Sequence, residues 1–137
     1  MGEIRVKVKL TNSHDDTKSR AGEMPKSDIR VYEADAMVDT GAVRSVIPAH
    51  VLEKLGVGIR GTRVAEYADG RKESVGMSEG IIFDVMGRDT LEEALILGDE
   101  VLIGQTVLEK LDLLADCANR RLLPNPAHPD QPVSKVK

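Results

Sequence analysis

Short apolar stretches separated by turn-forming residues run through almost the whole sequence. The clearest is residues 4–10, where apolar side chains alternate with arginine and lysine in the period of a half-buried β-strand. We predict further strands at residues 29–38, 64–67, 74–75, 80–85, 91–97, 100–103, 113–115 and 120–123. Two short helices, at residues 48–55 and 105–111, interrupt them without β-α-β alternation. The pattern therefore predicts a mainly β domain, closed or barrel-like.

Composition limits the class of protein. With 137 residues the chain fits one domain, and its core must be aliphatic because it has only two tyrosines and one phenylalanine. A formal net charge of −4 and the absence of tryptophan argue against nucleic acid as a partner. No apolar run is long enough to cross a bilayer, and the N-terminus is strand-like rather than a signal peptide. We therefore expect a cytoplasmic protein with no membrane partner.

Metal and disulfide chemistry are not indicated. Cys117 is the only cysteine, which excludes an internal disulfide. His14, His50 and His128 are scattered, without the His-x-x-x-His or His-x-x-Glu spacing that gathers ligands around a metal. We therefore expect neither a metal nor a cofactor.

The chain divides into one domain and a tail. We predict that the domain covers residues 1–123 and that its polar stretch, residues 11–28, forms a long loop. Residues 64–75 should form a hairpin, because Asp69 and Gly70 are a turn signal between two extended runs. Residues 124–137 are predicted to be a proline-rich C-terminal tail, extended or loose.

The pentapeptide Val-Leu-Glu-Lys-Leu occurs twice, at residues 51–55 and 107–111. Each copy follows an apolar strand that ends in a glycine, Gly41 in the first case and Gly104 in the second. Chance explains the pentapeptide alone, since its residues are common helix formers. The shared order of strand, glycine and helix favours a domain with internal two-fold pseudo-symmetry.

Asp39 stands at the end of an apolar strand and is followed by Thr40, Gly41 and Ala42. A bare Asp-Thr-Gly is weak evidence, because it arises by chance in a few per cent of chains of about this length. Apolar neighbours on both sides place this acid between poorly solvating walls, and Gly41 allows another backbone to approach closely. Without further motifs, a turn residue would be the better interpretation of Asp39.

The order of several motifs is more specific than Asp-Thr-Gly alone. After residues 39–42 come Val-Ile-Pro at 46–48, Ala-Asp-Gly at 68–70, and Leu-Ile-Gly at 102–104 followed by the second helix. In this order the chain closely resembles retroviral-type (retropepsin-like, clan AA) aspartic proteases, in particular their bacterial single-domain branch. The resemblance covers most of the chain, from about residue 29 to residue 126.

The resemblance implies a closed retropepsin-like acid-protease barrel with one or two short helices and an aspartic endopeptidase activity in which Asp39 is catalytic. In such enzymes two aspartates share a proton and activate a water molecule. Because this chain has a single Asp-Thr-Gly, the second carboxylate would be Asp39 of another subunit in a C2 homodimer. The resemblance also implies that Thr40, Gly41, Ala42 and Gly104 support the catalytic loop.

A substrate cleft follows from the same resemblance. The hairpin at residues 64–75 would be a flap that closes over an extended peptide or unfolded protein segment and excludes water. Residues 4–10 and 120–123 are candidates for the sheet that joins the subunits. The predicted substrate contacts in the flap and walls are Tyr67, Ala68, Asp69, Gly70 and Ile103.

Departures from the family pattern leave a second function open. Retroviral enzymes usually carry an acid soon after Asp-Thr-Gly-Ala and an arginine after the second-loop glycine. This chain has Val43 and Gln105 there, so its dimer must be braced in another way. The flap is also charged rather than glycine-rich and apolar. The alternative is a catalytically weak or inactive dimer that binds extended peptides or serves assembly.

A third hypothesis assigns phosphoryl transfer to Asp35 and Asp39, as in phosphatases with Asp-x-Asp-x-Thr after an apolar strand. The spacing disagrees, because the two acids are four positions apart. The chain also lacks room for a Rossmann-like body, so this hypothesis is the weakest of the three.

Overall fold

The computed structural model describes residues 3–136; residues 1, 2 and 137, which the predicted domain and tail include, lie outside the described residues. The strands are β1 Ile4–Asn12, β2 Val31–Val38, β3 Val46–Ile47, β4 Ile59–Glu66, β5 Lys72–Ser78, β6 Ile81–Val85, β7 Arg88–Glu92, β8 Leu95–Ile96, β9 Leu102–Ile103, β10 Leu113–Asp116 and β11 Arg121–Pro124. The helices are α1 Ser13–Arg20, α2 Ala49–Leu55 and α3 Gln105–Leu111, with a 3-10 turn at Lys26–Asp28. The predicted mainly β class is confirmed.

Nine strands form one sheet in the order β4-β5-β8-β3-β9-β2-β1-β6-β7, and β10 pairs separately with β11. Most neighbours are antiparallel, but β2 is parallel to β9 and β3 is parallel to β8. Within residues 3–136 the order ends at β4 and β7, so the predicted closure of the barrel is not confirmed. The β4–β5 hairpin contains the predicted flap.

The two copies of the pentapeptide occupy equivalent places. Helix α2 follows β3 and helix α3 follows β9, and these two strands are antiparallel neighbours. Each helix ends in a left-handed residue, Gly56 or Asp112. Each copy buries the same three positions, which are Val51, Leu52, Leu55 and Val107, Leu108, Leu111. The arrangement supports the pseudo-symmetry, with β3 rather than the strand before Gly41 as the first repeat's strand.

The core is aliphatic, as the composition requires. Phe83 is fully buried, whereas Tyr32 only packs partly against the core. The remaining fully buried large side chains are aliphatic and include Leu10, Ile47 and Leu55. Burying each such side chain contributes about 1.5–3 kcal/mol to folding. Within residues 3–136 there is no helix with the length and apolarity that a bilayer span requires.

The predicted loop at residues 11–28 is wrong over its first half, which is helix α1. The Asn12 side chain accepts the Asp15 N–H at 3.0 Å and thereby caps the helix. Asp15 and Asp16 occupy the first turn and Lys18 and Arg20 the last, which matches the polarity of the helix dipole. The segment is too polar to show a helical apolar period, so its helix is visible only through these end signals.

Asp15 is fully buried and bonded to Arg30, which precedes β2. The Arg30 guanidinium donates to both carboxylate oxygens, from Nε at 2.8 Å and from Nη2 at 3.0 Å. The Arg30 backbone N–H adds a third hydrogen bond at 3.0 Å. The guanidinium lowers the pKa of Asp15 from 3.8 to about 2.

We expect Asp15→Asn to lower the free energy of unfolding by about 2 kcal/mol at neutral pH. The folded-state pKa of Asp15 lies below its unfolded-state value, so this stabilisation is complete above the unfolded pKa and is lost as the pH falls from 3.8 towards about 2. Urea unfolding across that range should show the two proteins converging. Asp16→Asn is the matched control, since the ion-pair partner of Asp16 in the described part of the chain is the exposed Arg20. A difference that stays constant with pH would contradict the assignment.

The two segments proposed for a subunit sheet both lie in strands. The candidate dimer strand at residues 4–10 lies in β1, which pairs with β2 on one side and β6 on the other. The pairing with β6 begins only at Val8, so among the described residues 4–7 keep one open edge and this segment also remains a candidate. Residues 120–123 lie mainly in β11, whose one partner within residues 3–136 is β10, so this segment remains a candidate.

The predicted tail is not loose between residues 124 and 133. His128 Nδ1 lies 2.6 Å from Asp112 Oδ2, and the Val133 N–H donates to the same oxygen at 3.1 Å. Arg88 donates to the His128 carbonyl at 2.9 Å. Hydrogen bonds, first of all that from Asn125, hold the pKa of the Asp112 carboxyl below its usual value. The left-handed residue that ends α3 thus anchors the tail.

Candidate active site

Asp39 directly follows β2, whose last residue, Val38, lies opposite Ile103 of β9. The Asp39 N–H donates to the Ile103 carbonyl at 2.9 Å, so the two parallel strands fix the start of the loop. The half-buried carboxylate accepts the Gly41 N–H on Oδ1 at 3.1 Å. Among the described residues its Oδ2 accepts no hydrogen bond. The loop backbone therefore anchors one of the two carboxylate oxygens.

The loop after Asp39 satisfies the first turn of α3. The Gln105 N–H donates to the Ala42 carbonyl at 2.8 Å, and the Thr106 N–H donates to the Val43 carbonyl at 3.1 Å. Helix α3 has no side-chain N-cap, so these loop carbonyls replace one. Loop and helix start consequently hold each other in place.

Gly104 lies against the backbone of the same loop. A Cβ at this position would stand 2.5 Å from the Arg44 carbonyl carbon and 2.6 Å from its oxygen. The Gly104 N–H donates to the hydroxyl of Ser45 at 2.9 Å, and Ser45 is fully buried. The sequence prediction did not include Ser45, since one serine before an apolar strand gives no signal. The structure thus brings Gly104 to the loop that carries Asp39.

The tip of the Asp39 loop is open in the single chain. Thr40 and Gly41 are exposed, and Val43 is 67% exposed. A Cβ at Gly41 would meet Asp39 Oδ1 at 3.4 Å, which is an ordinary contact. Nothing in residues 3–136 of one chain therefore requires glycine at position 41.

Ile103 does not line a cleft, and its predicted contact with substrate is wrong. Its side chain is 0% exposed and belongs to the hydrophobic core. The short strand β9 lies inside the sheet, between β3 and β2. The Ile103 side chain therefore packs into the core. Ile103 reaches the site through its backbone carbonyl, which accepts the Asp39 N–H.

The other predicted substrate contacts lie at the tip of the β4–β5 hairpin. Tyr67 is half-buried, and Ala68, Asp69 and Gly70 are exposed. Gly70 has a left-handed φ of 86°, and its N–H donates to the Tyr67 carbonyl at 2.9 Å. Within residues 3–136 the hydrogen bonds and ion pairs of this tip stay inside the hairpin. The structure therefore does not join the tip to the Asp39 loop.

The hairpin tip carries a charged network around Tyr67. The Arg71 guanidinium lies 4.3 Å from the centre of the Tyr67 ring. The Tyr67 hydroxyl donates to Glu73, and this hydrogen bond raises the pKa of the tyrosine. Asp69 forms an ion pair with Arg71 at 3.7 Å. These contacts stabilise the tip as a polar turn.

Metal ligands are not assembled in the part of the chain that the structure describes. No group of three or more His, Cys, Asp or Glu side chains there has the placement to hold a metal ion. Cys117 is exposed and unbridged. The arrangement around Asp39 is that of a lone carboxylate on a braced loop.

No family model and no curated protein matches the sequence. The chain is similar to the EIAV protease solved with the inhibitor HBY-793, with 15% identity and a TM-score of 0.55, over 79% of this chain and 86% of that one. It is also similar to the retroviral protease-like domain of Ddi1 from Leishmania major, with 14% identity and a TM-score of 0.55, over 98% of this chain and 92% of that one.

A foamy viral protease-reverse transcriptase, solved with an RNA/DNA hybrid, matches with 22% identity and a TM-score of 0.46. The match covers 56% of this chain and 10% of that one, and its TM-score is too low to support a shared fold. The EIAV and Leishmania structures are matched over most of their own length. The chain therefore has the retropepsin-like fold.

Proposed function

We propose that the chain is one subunit of a homodimeric aspartic endopeptidase. Two Asp39 carboxylates, one from each subunit, share a proton because two adjacent negative charges are costly. The ionised carboxylate takes a proton from a water molecule that attacks the scissile carbonyl, while the protonated carboxyl polarises that carbonyl. A proton then passes to the leaving amine, the peptide bond breaks, and no covalent intermediate forms.

The observation that carries this proposal is the presentation of Asp39. Its carboxylate stands on an exposed loop that parallel strands and the start of α3 brace from behind. The chain holds one Asp-Thr-Gly, so a carboxylate pair requires a second subunit. A C2 contact pairs a residue with its own copy, which suits a loop tip with exposed Thr40 and Gly41. In this proposal Thr40 bonds across the axis and holds the two loops together.

The proposed substrate is an extended peptide or an unfolded protein segment. The β4–β5 hairpin acts as the flap, with the tip residues Tyr67 to Gly70 over the bound chain. Val64 on this hairpin is 66% exposed and supplies an apolar contact. The placement of the chain in the bacterial single-domain branch stays a prediction.

Peptide cleavage and sedimentation, measured on the same dilution series, test the shared site. We expect the cleavage rate per subunit to fall in parallel with the dimer fraction, because a monomer holds one of the two carboxylates. Unstructured peptides assayed from acid to neutral pH are suitable substrates. A rate per subunit that persists in the monomer range would contradict a site built by two subunits.

The charged hairpin tip favours one alternative, a dimer that binds extended peptides without cutting them or that serves assembly. Tyr67, Arg71 and Glu73 form a polar network at the tip. A flap that excludes water from a bound peptide needs an apolar surface instead. Fluorescence-detected peptide binding with no cleavage at any pH from acid to neutral would favour this alternative.

A further inference from the structure

Glu92, at the end of β7, is a buried carboxylate that the proposed chemistry does not use. Its residue is 5% exposed. Oε2 lies 2.9 Å from the hydroxyl of Thr106, in the first turn of α3, and Oε1 lies 3.5 Å from Lys110 Nζ. Burial of a carboxylate costs several kcal/mol unless hydrogen bonds and a counter-charge compensate it. Thr106 and Lys110 provide that compensation.

Thr106 connects this carboxylate to the loop that carries Asp39. Its hydroxyl lies 2.9 Å from the Val43 carbonyl, which also accepts the Thr106 backbone N–H at 3.1 Å. The hydroxyl therefore stands between two acceptors, Glu92 Oε2 and the Val43 carbonyl, and it has one proton to donate.

The Thr106 hydroxyl can share this one proton between the two acceptors, since both lie 2.9 Å from its oxygen. The Val43 carbonyl also keeps the backbone N–H of Thr106. Sharing the proton fixes the Thr106 rotamer between Glu92 and the loop, because the hydroxyl has an acceptor on each side.

We propose that Thr106, held by Glu92, is a positioning residue for Asp39. Ala42 and Val43 stand three and four residues after Asp39, and their carbonyls are fixed by consecutive residues of α3. The next loop residue, Arg44, has an ion pair with Glu93 at 3.4 Å, but both of these side chains are partly exposed. The contact of buried Glu92 with partly buried Thr106 is thus the brace that replaces the acid–arginine pair missing at Val43 and Gln105.

The kinetic part of this proposal rests on the proposed function, so the test includes a measurement that needs no substrate. Hydrogen exchange of the Gln105 amide reports how often the loop leaves the helix, because this N–H donates to the Ala42 carbonyl. Peptide cleavage, expressed per dimer after sedimentation, reports kcat and KM separately. Melting temperature reports general stability.

The variants Thr106→Val and Thr106→Ser form the central pair. Valine keeps the size of threonine and removes the hydroxyl, whereas serine keeps the hydroxyl. We expect Thr106→Val to raise Gln105 exchange and lower kcat, each about tenfold, with KM within about twofold. Thr106→Ser should stay within about twofold of the wild type in Gln105 exchange, kcat and KM. Thr17→Val is the matched control, because it removes a hydroxyl that donates to the Ser13 carbonyl in α1.

Glu92→Leu and Glu92→Gln provide a second pair if Thr106→Val does not fold. Leucine should reproduce the valine pattern, and glutamine, which can still bond the Thr106 hydroxyl, should restore exchange and kcat. A Thr106→Val protein with a lower melting temperature but unchanged Gln105 exchange and kcat would overturn the proposal. If the wild type cleaves no peptide, the proposed function fails, and the exchange data alone then decide the positioning role.

Discussion

Replacing Asp39 by asparagine is expected to lower kcat/KM for peptide cleavage by about 10³-fold or more. A positioned general acid or base contributes about 10²- to 10⁴-fold, and in a homodimer one substitution removes both members of the pair. Asparagine has the size of aspartate and keeps an oxygen that can accept the Gly41 N–H. The variant should therefore fold normally, as a melting curve will show beside the rate measurements.

Asp35→Asn is the matched control because it makes the same exchange in β2, four residues before Asp39. The Asp35 side chain is exposed, and the hydrogen bond it accepts from Arg5 at 3.5 Å uses its backbone oxygen. We expect kcat/KM of this variant within about twofold of the wild type. Full cleavage by Asp39→Asn beside an unchanged Asp35→Asn would exclude the proposed acid–base pair.

Mixing wild-type and Asp39→Asn subunits sharpens the same prediction. After exchange of subunits in an equal mixture, about one quarter of the dimers are wild type on both sides. The cleavage rate should therefore fall to about one quarter of the rate of an all-wild-type sample with the same total protein concentration. A fall to only one half would mean that each subunit works alone.

Local patterns predicted most of the strands and two helices. The alternation of apolar and basic residues in β1 and the Asp-Gly turn of the β4–β5 hairpin are encoded in neighbouring residues. The α3 helix has the predicted bounds, since its apolar positions and glycine-bounded start are also local. The order of such motifs along the chain was sufficient to indicate the fold that the structure shows.

Contacts between distant segments were not predictable in the same way. Helix α1 was missed because its amphipathic period is absent and because Asn12 and Arg30, which lie outside it, hold its Asp15. The contacts behind the Asp39 loop join Ser45 to Gly104 and Thr106 to Glu92. No sequence pattern links the members of either pair. Ile103 shows the converse error, since an apolar residue beside a predicted site was assigned to substrate while the sheet buries it.

Replacing Gly104 by alanine is expected to abolish cleavage and lower the free energy of unfolding by about 3 kcal/mol. The added methyl would stand 2.5 Å from the Arg44 carbonyl carbon and 2.9 Å from the Ser45 nitrogen. Both are backbone atoms, so the loop and the start of α3 must separate to admit it. Urea unfolding and peptide cleavage of the same preparation check the two effects.

The requirement at Gly104 is one of space, because its φ of −90° is open to any residue. Gly61→Ala is therefore the matched control, since a Cβ there meets nothing within 4 Å and its φ is not left-handed. We expect that variant to stay within about 0.5 kcal/mol of the wild type. Separation at Gly104 also withdraws the Gln105 N–H from the Ala42 carbonyl, so exchange of the Gln105 amide should accelerate. A stable Gly104→Ala protein with unchanged exchange would show that the loop yields without cost, and the proposed support of Asp39 by this glycine would be wrong.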